Sequence, residues 1–307
     1  VMKDLARHSA RLFLSLWLLS QPAWAESTPD KAPVPLKVAS VAPASTGLTR
    51  ADVDPYTGTA NFVLPLVIPP PRHTLPFSLR LIYSSWAGNG WLGVGWKLNL
   101  PYIERSTKRG PPRYDSTDQF VVSLGEGLQE LVPIGGGEYR LKTAEGAWKF
   151  FFNGQWWRAH DPRGVNYDFN FRTADPKDSR RVFRWRLSLM FDPNWNSVIF
   201  QPFDDRLEIS YSEKADKFQT SPYAGDYNYH ISIRFDRRPH DVTDDRPGFS
   251  DGYPLKGLGR IHEIRVRYKD KLVRRYLMTY VISPTSARSL LERITELGSD
   301  NRTANPP

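Results

Sequence analysis

From Gly47 onward the chain is dominated by strict apolar–polar alternation, the two-residue period of half-buried strands. Leu75, Phe77, Leu79, Leu81 and Tyr83 form one such row. Phe183, Trp185, Leu187, Leu189 and Phe191 form a second. Tyr227, Tyr229, Ile231, Ile233 and Phe235 form a third, and Tyr276, Met278, Tyr280 and Ile282 a fourth. Shorter strands are expected at 61–66, 119–124, 148–152, 167–171 and 207–211, and Lys269-Asp270-Lys271 is expected to close a hairpin. Residues 289–297 fit a helix and a strand equally well. No repeat of fixed period and no heptad is present. Alternation, rather than continuous apolar runs, predicts an all-β fold of long antiparallel strands in one or two twisted sheets, each with one wet face.

The densest punctuation is Tyr83 to Leu98, where Gly88, Gly90, Gly93 and Gly95 are interleaved with Trp86, Trp91 and Trp96. Gly88 to Gly93 spells G-x-G-x-x-G, which cradles a dinucleotide only when a strand enters the loop and a helix leaves it. Here Trp96, Leu98, Leu100 and Tyr102 alternate with Lys97, Asn99, Pro101 and Ile103, so a strand leaves. The glycines therefore read as backbone punctuation between strands, and no cofactor is expected.

Composition adds an export signal. Lys3, Arg7 and Arg11 precede the apolar run LFLSLWLL, and Ala23-Trp24-Ala25 follows, the pattern of a secretory signal peptide over residues 1–25. The run is too short to span a bilayer, so membrane contact is expected during export alone. The product is then secreted by a Sec-type route, outside the cell or into the periplasm. Residues 26–46 are rich in Pro, Ala, Ser and Val and read as a linker to a β domain at 47–307. Loss of residues 1–25 removes three basic residues and one acidic residue, taking the net charge from +9 to +7. Arg184-Trp185-Arg186 and Arg265-Val266-Arg267 place arginines on one strand face, the wet side of a half-buried sheet. Export argues against nucleic acid as a partner. The chain has no cysteine, which excludes disulfides, thiolate zinc sites and cysteine nucleophiles.

Little in the residues assembles into catalysis or metal binding. Gly248-Phe249-Ser250-Asp251-Gly252 matches G-x-S-x-G but lies between Pro247 and Pro254, not between a strand and a helix. Asp241, Asp244, Asp245 and Asp251 lack EF-hand spacing, so the 241–252 loop reads as a solvated turn, with calcium the alternative. The six histidines show no ligand spacing, and no metal site is expected. Trp156-Trp157 could supply a sugar-stacking ring. Adjacent strand residues face opposite ways, so one of the two would sit in the core.

The order of motifs resembles the SpvB-type N-terminal module, found in the Salmonella virulence plasmid B protein and in the B component of insecticidal toxin complexes. Gly58-Thr59-Ala60-Asn61-Phe62, Leu64-Pro65-Leu66 and Pro69-Pro70-Pro71 resemble its opening. Tyr83, Ser85, Gly88, Asn89, Gly90, Leu92, Gly93, Gly95 and Trp96 resemble its strongest signature. Ile103, Arg105, Gly110, Pro112, Tyr114, Asp115 and Asp118 follow in family order, as do Arg184-Trp185, Arg237-Arg238-Pro239, Arg274-Arg275-Tyr276 and Ser289-Leu290-Leu291. Trp195 stands where the family pattern has glycine, and the hairpin after Arg163-Gly164 lacks its final glycine.

The resemblance implies a non-catalytic scaffold of a secreted virulence or insecticidal toxin, with an Rhs-shell-like β architecture. Tyr83, Gly88, Asn89, Gly90, Gly93, Gly95, Trp96, Arg105, Tyr114 and Asp115 would then be structural. The implied partners are a toxin C-type or Rhs cargo protein, or downstream β-propeller and Rhs segments. In the virulence-plasmid protein the same module precedes an ADP-ribosyltransferase. The E-x-E pair of such a transferase does not occur in this chain, so enzymatic activity is expected in another domain or partner. The alternative is a secreted carbohydrate- or cell-surface-binding β module.

Overall fold

The computed structural model describes residues 52–53, 55–56, 58–71, 75–125, 127–143, 147–213, 227–236 and 259–302. The expected signal peptide, the linker and the 241–252 loop lie outside the described residues. Every regular element among the described residues is a strand. A small antiparallel sheet contains β1 (Asp52–Val53), β2 (Ala60–Pro65), β3 (Arg80–Ser84) and β6 (Trp96–Leu98), in that order. β4 (Asn89–Gly90) and β5 (Gly93–Val94) form a two-residue ribbon of their own between β3 and β6.

The large sheet begins as a closed barrel. β7 (Tyr102–Arg105), β8 (Phe120–Ser123), β9 (Leu128–Gly135), β10 (Glu138–Leu141), β11 (Lys149–Phe152), β12 (Trp157–His160), β13 (Asn166–Asp175) and β14 (Asp178–Phe191) pair in sequence order. β14 then pairs back onto β7 through Arg184↔Glu104, Trp185↔Ile103 and Arg186↔Tyr102. Eight strands enclose a lumen just wide enough for side chains to fill. Here aromatics fill it: Phe120 lies 4.9 Å from Trp157 and 5.9 Å from Trp185, and Phe152 stacks on Trp157 at 4.5 Å.

Past the barrel the sheet opens. β14 pairs with β15 (Ser197–Pro202), followed by β16 (Arg206–Glu213), β17 (Tyr227–Asp236), β18 (Arg260–Tyr268), β19 (Lys271–Ile282) and β20 (Ser289–Leu297), all antiparallel. The turn at Lys269, with φ 51°, closes the expected hairpin between β18 and β19. The extended segment after β2 crosses the inner face of this sheet. Phe77 packs against Phe200 and Tyr211, the Tyr211 hydroxyl donates to the Pro69 carbonyl at 2.8 Å, and the Tyr276 hydroxyl accepts from the Val67 N–H at 2.8 Å. One continuous core runs from the barrel to Tyr276 and Leu291.

One expected row does not share a face. Trp185 and Leu187 lie in the main core, but Leu189 and Phe191 belong to a second cluster with Ile199, while Val182 and Met190 point into the main core. The pairings explain the change. Between Thr173↔Arg184 and Ala174↔Val182, β14 gains Phe183; between Asp168↔Leu189 and Phe169↔Leu187, it gains Ser188. Each bulge inserts one residue and reverses the alternation. The Ser188 hydroxyl secures the second bulge by donating to the Asp168 carbonyl at 2.7 Å.

Candidate functional site

The glycine–tryptophan bend is a clasp between the small sheet and the far end of the large one. Tyr83 pairs with Trp96, and the Ser84 N–H donates to the Gly95 carbonyl, which closes its base. Asn89↔Val94 and Gly90↔Gly93 pair, so Trp91 and Leu92 form the tip. That tip is docked. Leu92 is fully buried, the Ile261 N–H donates to the Trp91 carbonyl at 2.8 Å, and the Trp91 ring packs edge-on against Phe235 at 5.1 Å.

Two glycines are required by this arrangement. Gly93 and Gly95 both hold φ of +83°, a region that an L side chain adopts only under strain. A β-carbon on Gly93 would collide with the Ser289 carbonyl, and one on Gly95 would fall 2.5 Å from the Tyr83 ring. Gly88 differs: a β-carbon there would meet nothing within 4 Å. The close approach at Gly93 is therefore to β20, and the strand β6 follows, so the geometry of a pyrophosphate cradle is not assembled here. Trp96 packs between Phe62 at 5.9 Å and Tyr83 at 5.2 Å.

Arg105, Tyr114 and Asp115 meet at a second place, one end of the barrel. Arg105 is buried and held on two sides. Its Nε donates to the Val182 carbonyl at 2.9 Å, and its Nη1 donates to Asp118 Oδ2 at 2.7 Å. The guanidinium also lies within 5.7 Å of the Tyr114, Phe120 and Trp185 rings. Asp118 accepts from the Arg113 and Tyr114 N–H groups, which fixes Tyr114 at φ 63°. Asp115 is exposed, and its Oδ1 accepts from the Thr117 hydroxyl and N–H, which lowers its pKa. These groups brace a loop at that end of the barrel.

Trp157 is fully buried in the barrel, whereas Trp156 precedes β12 and lies outside it. Arg158, held by Asp168 through two hydrogen bonds at 2.6 and 2.7 Å, covers the Trp156 ring at 5.2 Å. With Phe151, Asn153 and His160, Trp156 lines a shallow outer hollow of about 450 Å³. Burial, and then the Arg158 charge, lower the His160 pKa.

Trp195 keeps a left-handed conformation, φ 63°, where the family pattern has glycine. Its ring stacks on Phe191 at 5.3 Å, and Asp192 caps the turn by accepting from the Asn194 and Asn196 N–H groups. The arginines of the alternating rows are mostly matched by acids: Arg184 pairs with Glu104, and Arg265 and Arg275 with Glu263. Among the described residues no three His, Asp or Glu side chains are placed to hold a metal ion. The G-x-S-x-G stretch and the aspartate cluster lie outside the described residues.

Residues 54–152 match the family described as Salmonella virulence plasmid 65kDa B protein. The chain carries an SpvB-type segment. Mono(ADP-ribosyl)transferase SpvB from Salmonella choleraesuis (strain SC-B67) is 42% identical over 78 residues, which are 25% of this chain and 13% of that protein. The same protein from Salmonella typhimurium (strain 14028s) is 41% identical over the same length. The match thus spans about an eighth of those relatives.

The fold likeness is broader. The N-terminal domain of effector protein SpvB from Salmonella typhimurium strain LT2 superposes with a TM-score of 0.60 at 19% identity, covering 82% of this chain and 99% of that domain. A crystal structure of TcdB2-TccC3-Cdc42 superposes with a TM-score of 0.64 at 18% identity, covering 80% of this chain and 15% of that one. The all-β fold is shared with both, and the two groups of motif residues lie within or beside the matched segment. Phe235 and Ser289 stood in the sequence as a strand row and a motif position, but nothing there joined them or Ile261 to the bend. That surface is distant along the chain, so its contact with the bend has no local signature.

Proposed function

We propose that this chain is a non-catalytic structural module of a secreted bacterial toxin of the SpvB and toxin-complex type, acting by shape. The observation that carries the reading is the fold likeness to an entire SpvB N-terminal domain and to one sector of a chain in the TcdB2-TccC3-Cdc42 structure. The described residues agree with it chemically: several motif residues are engaged in internal packing, as with Gly93 against Ser289 and Arg105 against Asp118. In this reading residues 1–25 direct export, residues 26–46 form a linker, and the remainder abuts further β segments that enclose or present a toxic cargo. Transferase activity, where it accompanies such a module, resides in a separate domain.

The test is a chimera in which residues 47–302 replace the corresponding sector of TcdB2, co-expressed with TccC3. A closed particle that protects the cargo from protease supports the reading. Folded but unprotected cargo, or ADP-ribosyl transfer from NAD by this chain alone, contradicts it.

A second reading, a carbohydrate-binding module, is favoured by the outer hollow around Trp156, Phe151 and His160. The half-buried Trp156 ring, with the more exposed Phe151 beside it and Arg158 and Asn153 flanking it, offers a stacking face and hydrogen-bond donors for a sugar.

A further inference from the structure

The sheet forks at β14, and the fork leaves a cavity. Along one edge β14 pairs with β7 up to Arg186↔Tyr102, then with β15 from Leu189↔Ile199. Between them a single bond continues the ladder, from the Leu187 N–H to the Pro101 carbonyl at 3.3 Å. The wedge behind this split encloses about 320 Å³, walled chiefly by Phe171, Phe200, Phe203 and Phe235. That volume is at the small end of the range for small-ligand sites, roughly 300–1,000 Å³.

Two polar groups in the wall lack the partners their chemistry asks for. Arg186 Nη1 donates to Thr173 Oγ1 at 2.9 Å, and the guanidinium lies 5.2 Å from the Trp91 ring. It forms no ion pair among the described residues, whereas its neighbours Arg184 and Arg206 pair with Glu104 and Glu208. Burial, and then repulsion by Arg184, lower the Arg186 pKa to about 10, the mark of a cation that is poorly compensated. Asn170 is the extra residue of a β13 bulge, set between Phe169↔Leu187 and Phe171↔Arg186. Its Oδ1 is buried in the same wall without a hydrogen-bond partner among the described residues. Bulges re-aim side chains at functional places, and a buried acceptor left unpaired is costly. A guanidinium asks for an anion, Asn170 Oδ1 asks for an N–H or O–H donor, and the aromatic walls ask for an apolar body.

We propose that the cavity at the β14 fork binds a carboxylate carried on an apolar body, with Arg186 pairing the carboxylate and Asn170 accepting a neighbouring N–H or O–H. Such a group occurs on a free small acid and on an acidic residue beside an aromatic one in a peptide. The ligand compensates the half-buried cation and fills the aromatic wedge, and where it carries an N–H or O–H it satisfies Asn170. A neutral amide of the same shape keeps the apolar contact and can donate to Asn170, but it brings no charge to pair with Arg186.

The test is a calorimetric and saturation-transfer titration of the full chain with three probes: 3-phenylpropionate, its neutral amide, and a terminally blocked Phe-Asp dipeptide. The acid is expected to bind at least about tenfold more tightly than the amide, the scale of one charge-assisted hydrogen bond. Arg186→Gln is expected to weaken the acid by a similar factor. Asn170→Asp, which places a resident carboxylate in the wall, is expected to do the same in a chain whose melting is unchanged or raised, so the test survives if Arg186→Gln fails to fold. Tighter binding of the dipeptide supports a peptide source, and tighter binding of phenylpropionate supports a free acid. Equal binding of acid and amide, acid binding unaffected by either substitution, or no binding of any probe at about 10 mM overturns the proposal.

Discussion

Gly93 sets its bare α-carbon against the carbonyl of Ser289, nearly two hundred positions away in the chain, with no room between them for a side chain. This contact ties the β4–β5 ribbon to the last described strand. It predicts that Gly93→Val costs roughly 2–4 kcal/mol, from a forbidden φ and a forced displacement of β20. Gly88→Ala, at a position with open space, is expected within about 0.5 kcal/mol of the parent. Urea unfolding of the two variants checks both. An unchanged midpoint for Gly93→Val would count against the clasp.

Arg105 makes the second brace. Its side chain donates to Val182 and Asp118 and touches three rings, and both members of the Arg105–Asp118 pair are about one-tenth exposed. Removing one partner of a buried pair leaves the other uncompensated. Arg105→Met is expected to cost about 3–5 kcal/mol, and Arg105→Lys to recover little, because an ammonium lacks the planar fork. Denaturant midpoints of the two variants give the comparison; full rescue by lysine would contradict the geometry.

Glu263 is 2% exposed and faces Arg265, Arg275 and, at 3.8 Å, Arg234. Burial pushes its pKa up, but the hydrogen bonds and charges of Arg265 and Arg275 outweigh burial and lower it overall. A carboxyl whose folded pKa is below its unfolded value, about 4.3, stabilises the fold above that value, and the contribution is lost as pH falls through the folded pKa. Glu263→Gln is therefore expected to be destabilised by about 3 kcal/mol at neutral pH. The gap to the parent narrows as the solution is acidified below the glutamate range. A gap constant with pH would contradict the ion-pair account.

Trp157 and Trp156 separate stability from surface binding. Trp157→Ala is expected to cost about 3–5 kcal/mol, since the ring fills the barrel. Trp156→Ala is expected to leave the midpoint within about 1 kcal/mol. If the outer hollow holds sugars, Trp156→Ala abolishes glycan-array binding while the fold persists. Retention of glycan binding by Trp156→Ala would remove the carbohydrate reading.

The strands were the most legible part of the sequence, because alternation is a direct image of a sheet with one buried face. The rows at Leu75–Leu81 and Ile231–Ile233 are buried as their period requires. Barrel closure was not legible, since it depends on Arg184 to Arg186 finding Tyr102 to Glu104 across the chain. The row from Phe183 to Phe191 misled for a local reason: bulges at Phe183 and Ser188 preserve the apolar spacing but reverse the face. β15 shows no period because Ser197–Phe200 is buried on both faces and does not alternate. At the motif residues, the glycines announced a tight bend, but the partner surface at Ile261 and Ser289 is visible only in three dimensions.

Amide hydrogen exchange across residues 88–96 and at Ile261, with and without NAD, tests most directly whether the bend is a clasp. The docked geometry predicts that the Gly95 and Ile261 amides exchange as slowly as the barrel core and are unaffected by NAD. Rapid exchange in the free chain that slows when NAD is added would contradict it.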